Sequence, residues 1–287
     1  MPGPQVNRRS LVLGGAGVLA AFASGGCGSV RGALTGQSDR GPGSTVSGTF
    51  HSAARGRTVG WTISYPPGHR SGDRLPLVLA LHGFTGTHVR PIGPIPPVQL
   101  LASTVHGRVL PAMAVAAIDG GDGYWHSHPE DDPMRMLLEE FLPMCRDRGL
   151  GVGASRKIGL TGESMGGYGA LLLAEQHPEM VAAVAVISPA VWTTYADSQN
   201  ANPTAFTSAA DFAANNVITH AAALRGIPLR LASGRQDPFH PYLESLVPEL
   251  PKGSRVLFPP GAHDNDFFGS QALPSLAFIA KHIGVSR

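Results

Sequence analysis

Cysteine and charged residues are scarce in this chain of 287 residues, and each scarcity excludes a class of protein. The two cysteines, Cys27 and Cys145, allow at most one disulfide, and no Cys/His spacing typical of a zinc site occurs. Charged residues make up 15% of the chain, the net charge is only +2, and no basic run argues for a nucleic-acid partner. The hydrophobic content of 43% is enough for a substantial core and argues against disorder.

The N-terminal residues show an export pattern and lack the length of a comfortable membrane span. Arg8 and Arg9 precede an uncharged, apolar stretch that ends at Ser24. Paired arginines directly before such a stretch are typical of a bacterial twin-arginine signal, with an ordinary secretory signal as the alternative. We therefore expect residues 1–27 to be an export signal and the protein to act outside the cytoplasm.

Two processing sites compete at the end of this signal. Residues 21–23 (Ala-Phe-Ala) fit a signal-peptidase site. Residues 24–27 (Ser-Gly-Gly-Cys) resemble a lipobox in which Cys27 is lipidated, which would make this lipid the protein's contact with the membrane. Lipidation would leave Cys145 unpaired as a small buried hydrophobe, whereas cleavage after residue 23 would permit a Cys27–Cys145 disulfide.

Segments of strand and helix length alternate beyond a Gly-, Ser- and Thr-rich tether predicted over residues 28–45. This alternation predicts an α/β fold over residues 46–287, with a mostly parallel sheet covered by helices on both faces. Residues 190–216 are an irregular insertion, which we interpret either as a lid or wall over the site or as a surface excursion. The predicted strands span residues 47–53, 58–65, 75–81, 112–118, 158–161, 181–187, 227–232 and 256–258, and predicted helices include residues 133–148, 168–176 and 273–282.

The most informative motif is Gly-Glu-Ser-Met-Gly at residues 162–166. An apolar strand precedes it and an apolar, helix-favouring segment follows it. A serine in such a strand-turn-helix context lies in a strained turn with its hydroxyl exposed, and the small flanking residues allow close backbone approach. Ser164 is therefore the candidate nucleophile.

A serine hydroxyl is a weak nucleophile and needs a base that an acid orients. Asp237 and His263 each follow a predicted strand, and the order Ser, Asp, His is that of the α/β-hydrolase fold. We therefore predict His263 as the base and Asp237 as the orienting acid. The alternatives for the acid are Asp211, Asp264 and Asp266. Asp211 is expected to cap a helix, and Asp264 and Asp266 follow the histidine too closely to orient its ring easily.

Acyl transfer also requires two N–H groups that bind the oxyanion. The first is predicted at Met165, directly after the nucleophile, and the second at Phe84, with Thr85 as its alternative. The Phe84 ring either lines the acyl pocket or packs against the domain. His82 is expected to be structural.

The loop after the fourth predicted strand combines acidic, histidine and aromatic residues. Tyr124 and Trp125 are predicted to contact substrate. His126 and His128 resemble the start of a metallo-hydrolase motif, but the match fails from Glu130 onward. We therefore predict neither a metal nor another cofactor.

With these residues in place, the chain resembles the esterase D and antigen 85 family of α/β-hydrolases over residues 58–283. The resemblance implies cofactor-free ester hydrolysis or acyl transfer through an acyl-serine, on a small-molecule or lipid ester. It is carried by five segments: residues 81–84 (Leu-His-Gly-Phe), 119–121 (Asp-Gly-Gly) with 124–125 (Tyr-Trp), 162–167 (Gly-Glu-Ser-Met-Gly-Gly), 234–239 (Gly-Arg-Gln-Asp-Pro-Phe), and 261–263 (Gly-Ala-His) with 267–268 (Phe-Phe) and Gln271.

The antigen 85 mycolyltransferases have an arginine soon after the first oxyanion donor, where it helps to hold trehalose. Here Thr85, Gly86 and Thr87 follow Phe84, and Arg90 comes later. This departure favours a serine esterase over a cell-envelope acyltransferase with the same triad. A lipid-anchored, non-catalytic binding protein would be expected to have lost a triad residue, and none is missing.

Overall fold

A computed structural model describes residues 42–151 and 157–283 of the protein. The predictions about the export signal, the paired arginines, the lipidation of Cys27 and nearly all of the tether fall on residues outside these ranges. Among the described residues, no helix combines the length and the apolar character needed to cross a membrane.

An eight-stranded sheet forms the centre of the fold, and β4 and β5 pair separately as a small hairpin. The strands are β1 (Ser44–Ser52), β2 (Arg57–Tyr65), β3 (Leu77–Leu81), β4 (Thr104–Val105), β5 (Arg108–Val109), β6 (Ala114–Ile118), β7 (Ile158–Glu163), β8 (Val181–Ile187), β9 (Leu229–Ala232) and β10 (Arg255–Leu257). Their order in the sheet is β1-β2-β6-β3-β7-β8-β9-β10. β2 is antiparallel to both of its neighbours, and the six strands from β6 to β10 in this order are parallel. The predicted mostly parallel sheet is confirmed.

The helices lie on both faces of this sheet. α4 packs on β3, β7 and β8, and α9 packs on β7, β8 and β9. The helices are α1 (Pro97–Leu101), α2 (Pro133–Arg135), α3 (Leu142–Asp147), α4 (Met165–Gln176), α5 (Tyr195–Ala201), α6 (Ala209–Ala214), α7 (Val217–His220), α8 (His240–Leu246) and α9 (Asn265–Ala280). A π-helical turn, Met136–Phe141, joins α2 to α3, and short 3₁₀ turns span Pro178–Met180, Ala221–Leu224 and Val247–Glu249.

Strand β3 shows why its apolar run is continuous. All five of its residues are buried. Leu77, Leu79 and Leu81 join the core beneath α4, while Val78 and Ala80 join the core beneath α9. Since successive strand residues point to opposite faces, a strand covered on both sides has no polar position.

Several predicted boundaries differ from the structure. β1 begins at Ser44, three residues before the predicted start, and pairs with β2 along its whole length. The predicted helix over residues 273–282 is the second half of α9, which begins at Asn265. Asp211 lies in the first turn of α6, whose N-cap is Ser208. The N-cap of α6 therefore lies three residues before the predicted one.

The insertion at residues 190–216 is a packing element. The rings of Trp192 and Phe206 contact Tyr124, and Phe206 also contacts Tyr168 and Phe212. Aromatic burial of this kind is a large apolar contribution to a core. The insertion is therefore packed against the rest of the fold, which argues against a simple surface excursion.

Candidate active site

Ser164 occupies the sharp turn between β7 and α4, as the strand-turn-helix pattern predicts. Its backbone has φ 52° and ψ −122°, a strained conformation for a residue other than glycine. The turn is tight because a Cβ atom at Gly162 would collide with the carbonyl of Gly166, and one at Gly166 with the carbonyl of Leu81. These glycines allow the backbone approach that exposes the serine hydroxyl.

The three residues predicted as nucleophile, base and acid lie together in a continuous hydrogen-bonded path. His263 Nε2 is 2.8 Å from Ser164 Oγ, and His263 Nδ1 is 2.9 Å from Asp237 Oδ2. The three residues come from the turn after β7, the loop after β9 and the loop after β10. All three follow carboxyl ends of parallel strands, where functional loops of such sheets meet.

Asp237 is held as an ionised acceptor. Its carboxylate is fully buried, and its Oδ1 accepts a hydrogen bond from Phe239 N–H at 2.8 Å. Burial by itself raises the pKa of Asp237, but the hydrogen bonds that its carboxylate accepts, that from His263 first among them, and the charge of His263 together outweigh burial and hold the pKa below its usual value. A carboxylate in this position orients the imidazole and stabilises its charged form.

The rings of Phe239 and Phe268 contact the imidazole of His263. Their centroids lie 5.1 and 5.0 Å from that of His263, and Phe268 meets it edge-on at 90°. Trp192, from the insertion, packs on Phe239 at 5.6 Å. The orientation of the base therefore depends on long-range packing as well as on Asp237.

The competing acids have other roles in the structure. Asp264 is the N-cap of α9, where its Oδ1 accepts the N–H of Phe267 at 2.9 Å. Asp211 accepts the N–H and hydroxyl of Thr207. Neither makes a hydrogen bond to His263.

The loop after β3 lies beside the nucleophile, as the oxyanion prediction requires. A Cβ atom at Gly83 would be 3.5 Å from Ser164 Cβ, so the following N–H groups lie next to the elbow. Thr85 N–H donates to Asp122 Oδ1 at 2.6 Å, and Phe84 N–H has no hydrogen-bond partner within the described ranges. Of the two candidates for the second oxyanion donor, Phe84 and Thr85, only Phe84 therefore has a free N–H group among the residues described.

His82 is structural in this arrangement. It is fully buried, its Nδ1 donates to Gly83 O at 2.8 Å, and its Nε2 accepts Gly120 N–H at 2.9 Å. Burial lowers the pKa of the imidazole, so the ring is neutral and fixed in one tautomer. Its two bonds shape the oxyanion loop and tie it to the end of β6.

The serine and histidine open into a cleft of about 400 Å³. Phe84 is 48% exposed and lines this cleft, which favours the pocket interpretation of its ring over packing. Arg90, Glu163 and Asn265 also line it, and none of them was predicted as a site residue. Each lies near a predicted site residue in sequence, but none of the three belongs to a pattern that by itself predicts a site role.

Trp125 has a packing role in place of the predicted substrate contact. Its ring is fully buried, lies against Gly169 of α4, and contacts His82 at 5.0 Å. Tyr124 is only 4% exposed and is surrounded by aromatic rings. Neither side chain lines the cleft, because both are buried in the core.

The two histidines of the same loop contact backbone carbonyl groups. His126 Nε2 is 2.7 Å from Ala205 O, and His128 Nε2 is 2.7 Å from Gly123 O. Within residues 42–151 and 157–283, no three His, Cys, Asp or Glu side chains are grouped as a metal ion would require. Cys145 is a buried free thiol whose pKa burial raises to about 12, as expected for a small hydrophobe.

Several solved structures share this fold. A ferulic acid esterase aligns with a TM-score of 0.69 and 19% identity, over 84% of this chain and 99% of the esterase. An S-formylglutathione hydrolase from Agrobacterium tumefaciens has a TM-score of 0.64 and 18% identity, over 85% of this chain and 96% of its own. Mycobacterium tuberculosis MPT51 has a TM-score of 0.61 and 16% identity, over 83% of this chain and 99% of its own. These similarities confirm the α/β-hydrolase fold.

No curated protein shows a significant sequence match to the chain. A family model described as "Putative esterase" matches residues 52–241, which include Ser164 and Asp237. The match covers well over half of the chain. The protein therefore belongs to this esterase family, which is of the esterase D and antigen 85 type.

Proposed function

We propose that the protein is a serine carboxylic-ester hydrolase that works through an acyl-serine intermediate. The observation that carries this proposal is the unbroken path from Ser164 Oγ through His263 to Asp237, which opens into the cleft. A hydroxyl, an oriented imidazole and a buried carboxylate in this order are the parts that activate a serine.

In the first half-reaction, Ser164 Oγ attacks the ester carbonyl while His263 Nε2 takes the hydroxyl proton. The N–H groups of Met165 and Phe84 hold the negative oxygen of the tetrahedral intermediate. When the C–O bond to the alcohol breaks, His263 returns the proton to the leaving oxygen. In the second half, His263 deprotonates a water molecule, which attacks the acyl carbon. As the bond from this carbon to Ser164 Oγ breaks, His263 returns the proton to Oγ, and the carboxylic acid leaves.

The residue chemistry of the cleft favours a compact ester over a long-chain one. The cleft has about 400 Å³ of space, near the lower end of ordinary ligand pockets at about 300–1,000 Å³. Phe84 and Phe268 provide apolar contacts, and Arg90 and Asn265 provide polar ones. An acyl group of a few carbons with a polar alcohol moiety fits this combination.

The test is hydrolysis of p-nitrophenyl acetate and butyrate by the Ser164→Ala variant. We expect loss of activity by at least about 10³-fold and loss of fluorophosphonate labelling. Ser270→Ala is the matched control, because this α9 hydroxyl bonds Phe267 O and does not line the cleft. Full activity of Ser164→Ala would refute the proposal, and wild-type chain that resists labelling would favour a non-catalytic binding protein.

A second candidate is transfer of the acyl group to a sugar hydroxyl. The observation in its favour is Arg90, which lines the cleft although it lies later in sequence than the arginine of antigen 85. An arginine there offers several donors to a polyhydroxylated acceptor. Product analysis with trehalose present would separate the two functions, because acyl-trehalose forms only in the transferase.

The export pattern supports the further proposal that this activity lies outside the cytoplasm. Residues 1–27 carry the paired arginines and end at Cys27. In this proposal a lipid attached to Cys27 anchors the exported protein to the membrane. Metabolic labelling with a fatty acid should mark the wild-type protein and fail to mark Cys27→Ala. Equal labelling of both proteins would rule out Cys27 as the anchor.

A further inference from the structure

A second cavity lies apart from the active-site cleft and shares no lining residue with it. It has a volume of about 990 Å³. Its walls are the β4–β5 hairpin, the second half of α9, and the first halves of β9 and β10. None of the hydrolytic chemistry derived above uses these residues.

The charges that line this groove all have one sign. Arg108, Arg230, Arg255 and Lys281 contribute to its wall, and no aspartate or glutamate does. None of these four cations forms an ion pair with a carboxylate in the described part of the chain. In a chain whose net charge is only +2, this concentration of one charge is a local feature.

Arg230 is a buried cation that two neutral side chains hold in the wall of the groove. Its side chain is only 3% exposed, and its guanidinium donates to Ser275 Oγ at 3.0 Å and Gln271 Oε1 at 2.6 Å. Both partners are neutral, so the buried charge lacks a counter-charge in the described structure. Burial, with a smaller effect from Arg255, lowers the pKa of Arg230 to about 10, which still leaves it charged at neutral pH. Retaining an unpaired buried cation is costly, and a bound anion would remove that cost.

The remaining walls of the groove are apolar. Leu273, Ala277 and Phe278 of α9 face it from one side, and Val109 and Leu110 line the other. Val109 is 55% exposed, so its side chain is open to contact with a ligand in the groove. A ligand that satisfies both the cations and these walls has an anionic head and an apolar tail.

We propose that this groove binds one single-chain anionic amphiphile, with its head group at Arg230 and Arg255 and its alkyl chain along Leu273 and Phe278. The occupant is a free molecule and not a membrane surface, because the deeply buried Arg230 could not reach a planar layer of head groups. The groove volume is also that of a pocket for one ligand.

The test is calorimetric titration of the full chain with decyl phosphate below its critical micelle concentration. We expect saturation at one molecule per chain, with inorganic phosphate and decanol each binding at least about tenfold more weakly because each lacks half of the ligand. Vesicles of anionic phospholipid should not bind. If the vesicles bind and decyl phosphate does not, the membrane interpretation replaces this one.

Three variants locate the binding. Arg255→Gln and Ala277→Glu should each weaken decyl phosphate binding at least about fivefold, since one removes a cation and the other adds a repelling anion. Arg225→Gln is the matched control, because this exposed arginine does not line the groove. Ester hydrolysis should stay within about twofold of wild type in all three, as a check on folding. Unchanged binding in both groove variants, or no binding to the wild-type chain, would overturn the proposal.

Discussion

The carboxyl group of Glu163 accepts a hydrogen bond from the backbone N–H of Gly93, with 2.5 Å between Oε2 and N. Glu163 directly precedes the nucleophile, and both residues line the cleft. The bond therefore joins the elbow to the facing wall of the cleft. Burial raises the pKa of Glu163 to about 7, although the Gly93 hydrogen bond acts in the opposite direction.

Replacement of Glu163 by Gln should remove part of the pH dependence of stability. The pKa of Glu163 in the fold is about 7, above the reference value of 4.5. Its stabilising contribution is therefore fully present below pH 4.5 and is lost as the pH rises towards 7. The loss is at most about 3 kcal/mol, and Glu163→Gln should lack it while still accepting the Gly93 N–H.

Urea unfolding at pH 5 and pH 8 measures this difference as the change in the free energy of unfolding. Glu249→Gln is the control, because Glu249 is exposed and its replacement should leave the pH dependence unchanged. An equal decline in wild type and Glu163→Gln would show that Glu163 does not titrate in this range.

Replacement of Asp237 by Asn should lower kcat by about 10³–10⁴-fold, because an amide no longer holds His263 in the tautomer that accepts the serine proton. The matched control is Asp264→Asn, one residue after His263. Asn caps helices about as well as Asp, so this variant should keep its stability and its kcat. Steady-state hydrolysis of a p-nitrophenyl ester measures both. Comparable losses in the two variants would point to general disturbance of the loop.

Replacement of Asp122 by Ala should lower kcat about tenfold with a smaller effect on KM. Asp122 Oδ1 accepts the N–H of Thr85, and this bond holds the loop that carries the Phe84 donor. A displaced donor weakens binding of the oxyanion in the transition state more than it weakens binding of the carbonyl oxygen in the ground state. Asp122→Asn retains the acceptor and should recover most of the activity. If Ala and Asn lose the same activity, the charge rather than the hydrogen bond is responsible.

Replacement of Glu175 by Met should stabilise the protein. Glu175 is 8% exposed on α4, and neither of its carboxyl oxygens has a hydrogen-bond partner within the described ranges. Burial raises its pKa to about 9, so the carboxyl group of the folded protein is neutral at pH 7. Met removes the unsatisfied polar atoms and should raise the free energy of unfolding by about 1–2 kcal/mol. Glu175→Gln also removes the cost of protonating the carboxylate on folding, but it keeps a buried polar group, so it should gain less than Glu175→Met in urea unfolding at pH 7.

The sheet and the triad could be predicted because their signals are local. A strand buried on both faces must be apolar at every position, and the turn at Ser164 requires small residues at Gly162 and Gly166. Asp237 and His263 then follow from their places after the later strands. The three side chains lie within hydrogen-bond distance of each other because parallel strands bring those loops to one edge of the sheet.

The residues that were missed or misassigned depend on partners far away in sequence. The aromatic content of its loop predicted Trp125 as a substrate contact, whereas α4 and His82 enclose it in the core. The insertion has no periodicity from which its packing role could be read, because the rings that complete its core come from other segments. Glu163 gave no signal of its own, since only the facing Gly93 and the burial of the cleft make it unusual.

The sequence alone therefore determined the fold class and predicted that Ser164, Asp237, His263 and the loop of Phe84 would lie together. Each of these depends on backbone conformation and apolar periodicity, which a few neighbouring residues dictate. The tertiary structure decided which aromatic residues pack and which line the cleft. It also decided that Glu163 lines the cleft and accepts a hydrogen bond from Gly93, and that four cations gather around a single groove. Burial and charge proximity depend on distances between segments, and those distances exist only once the chain has folded.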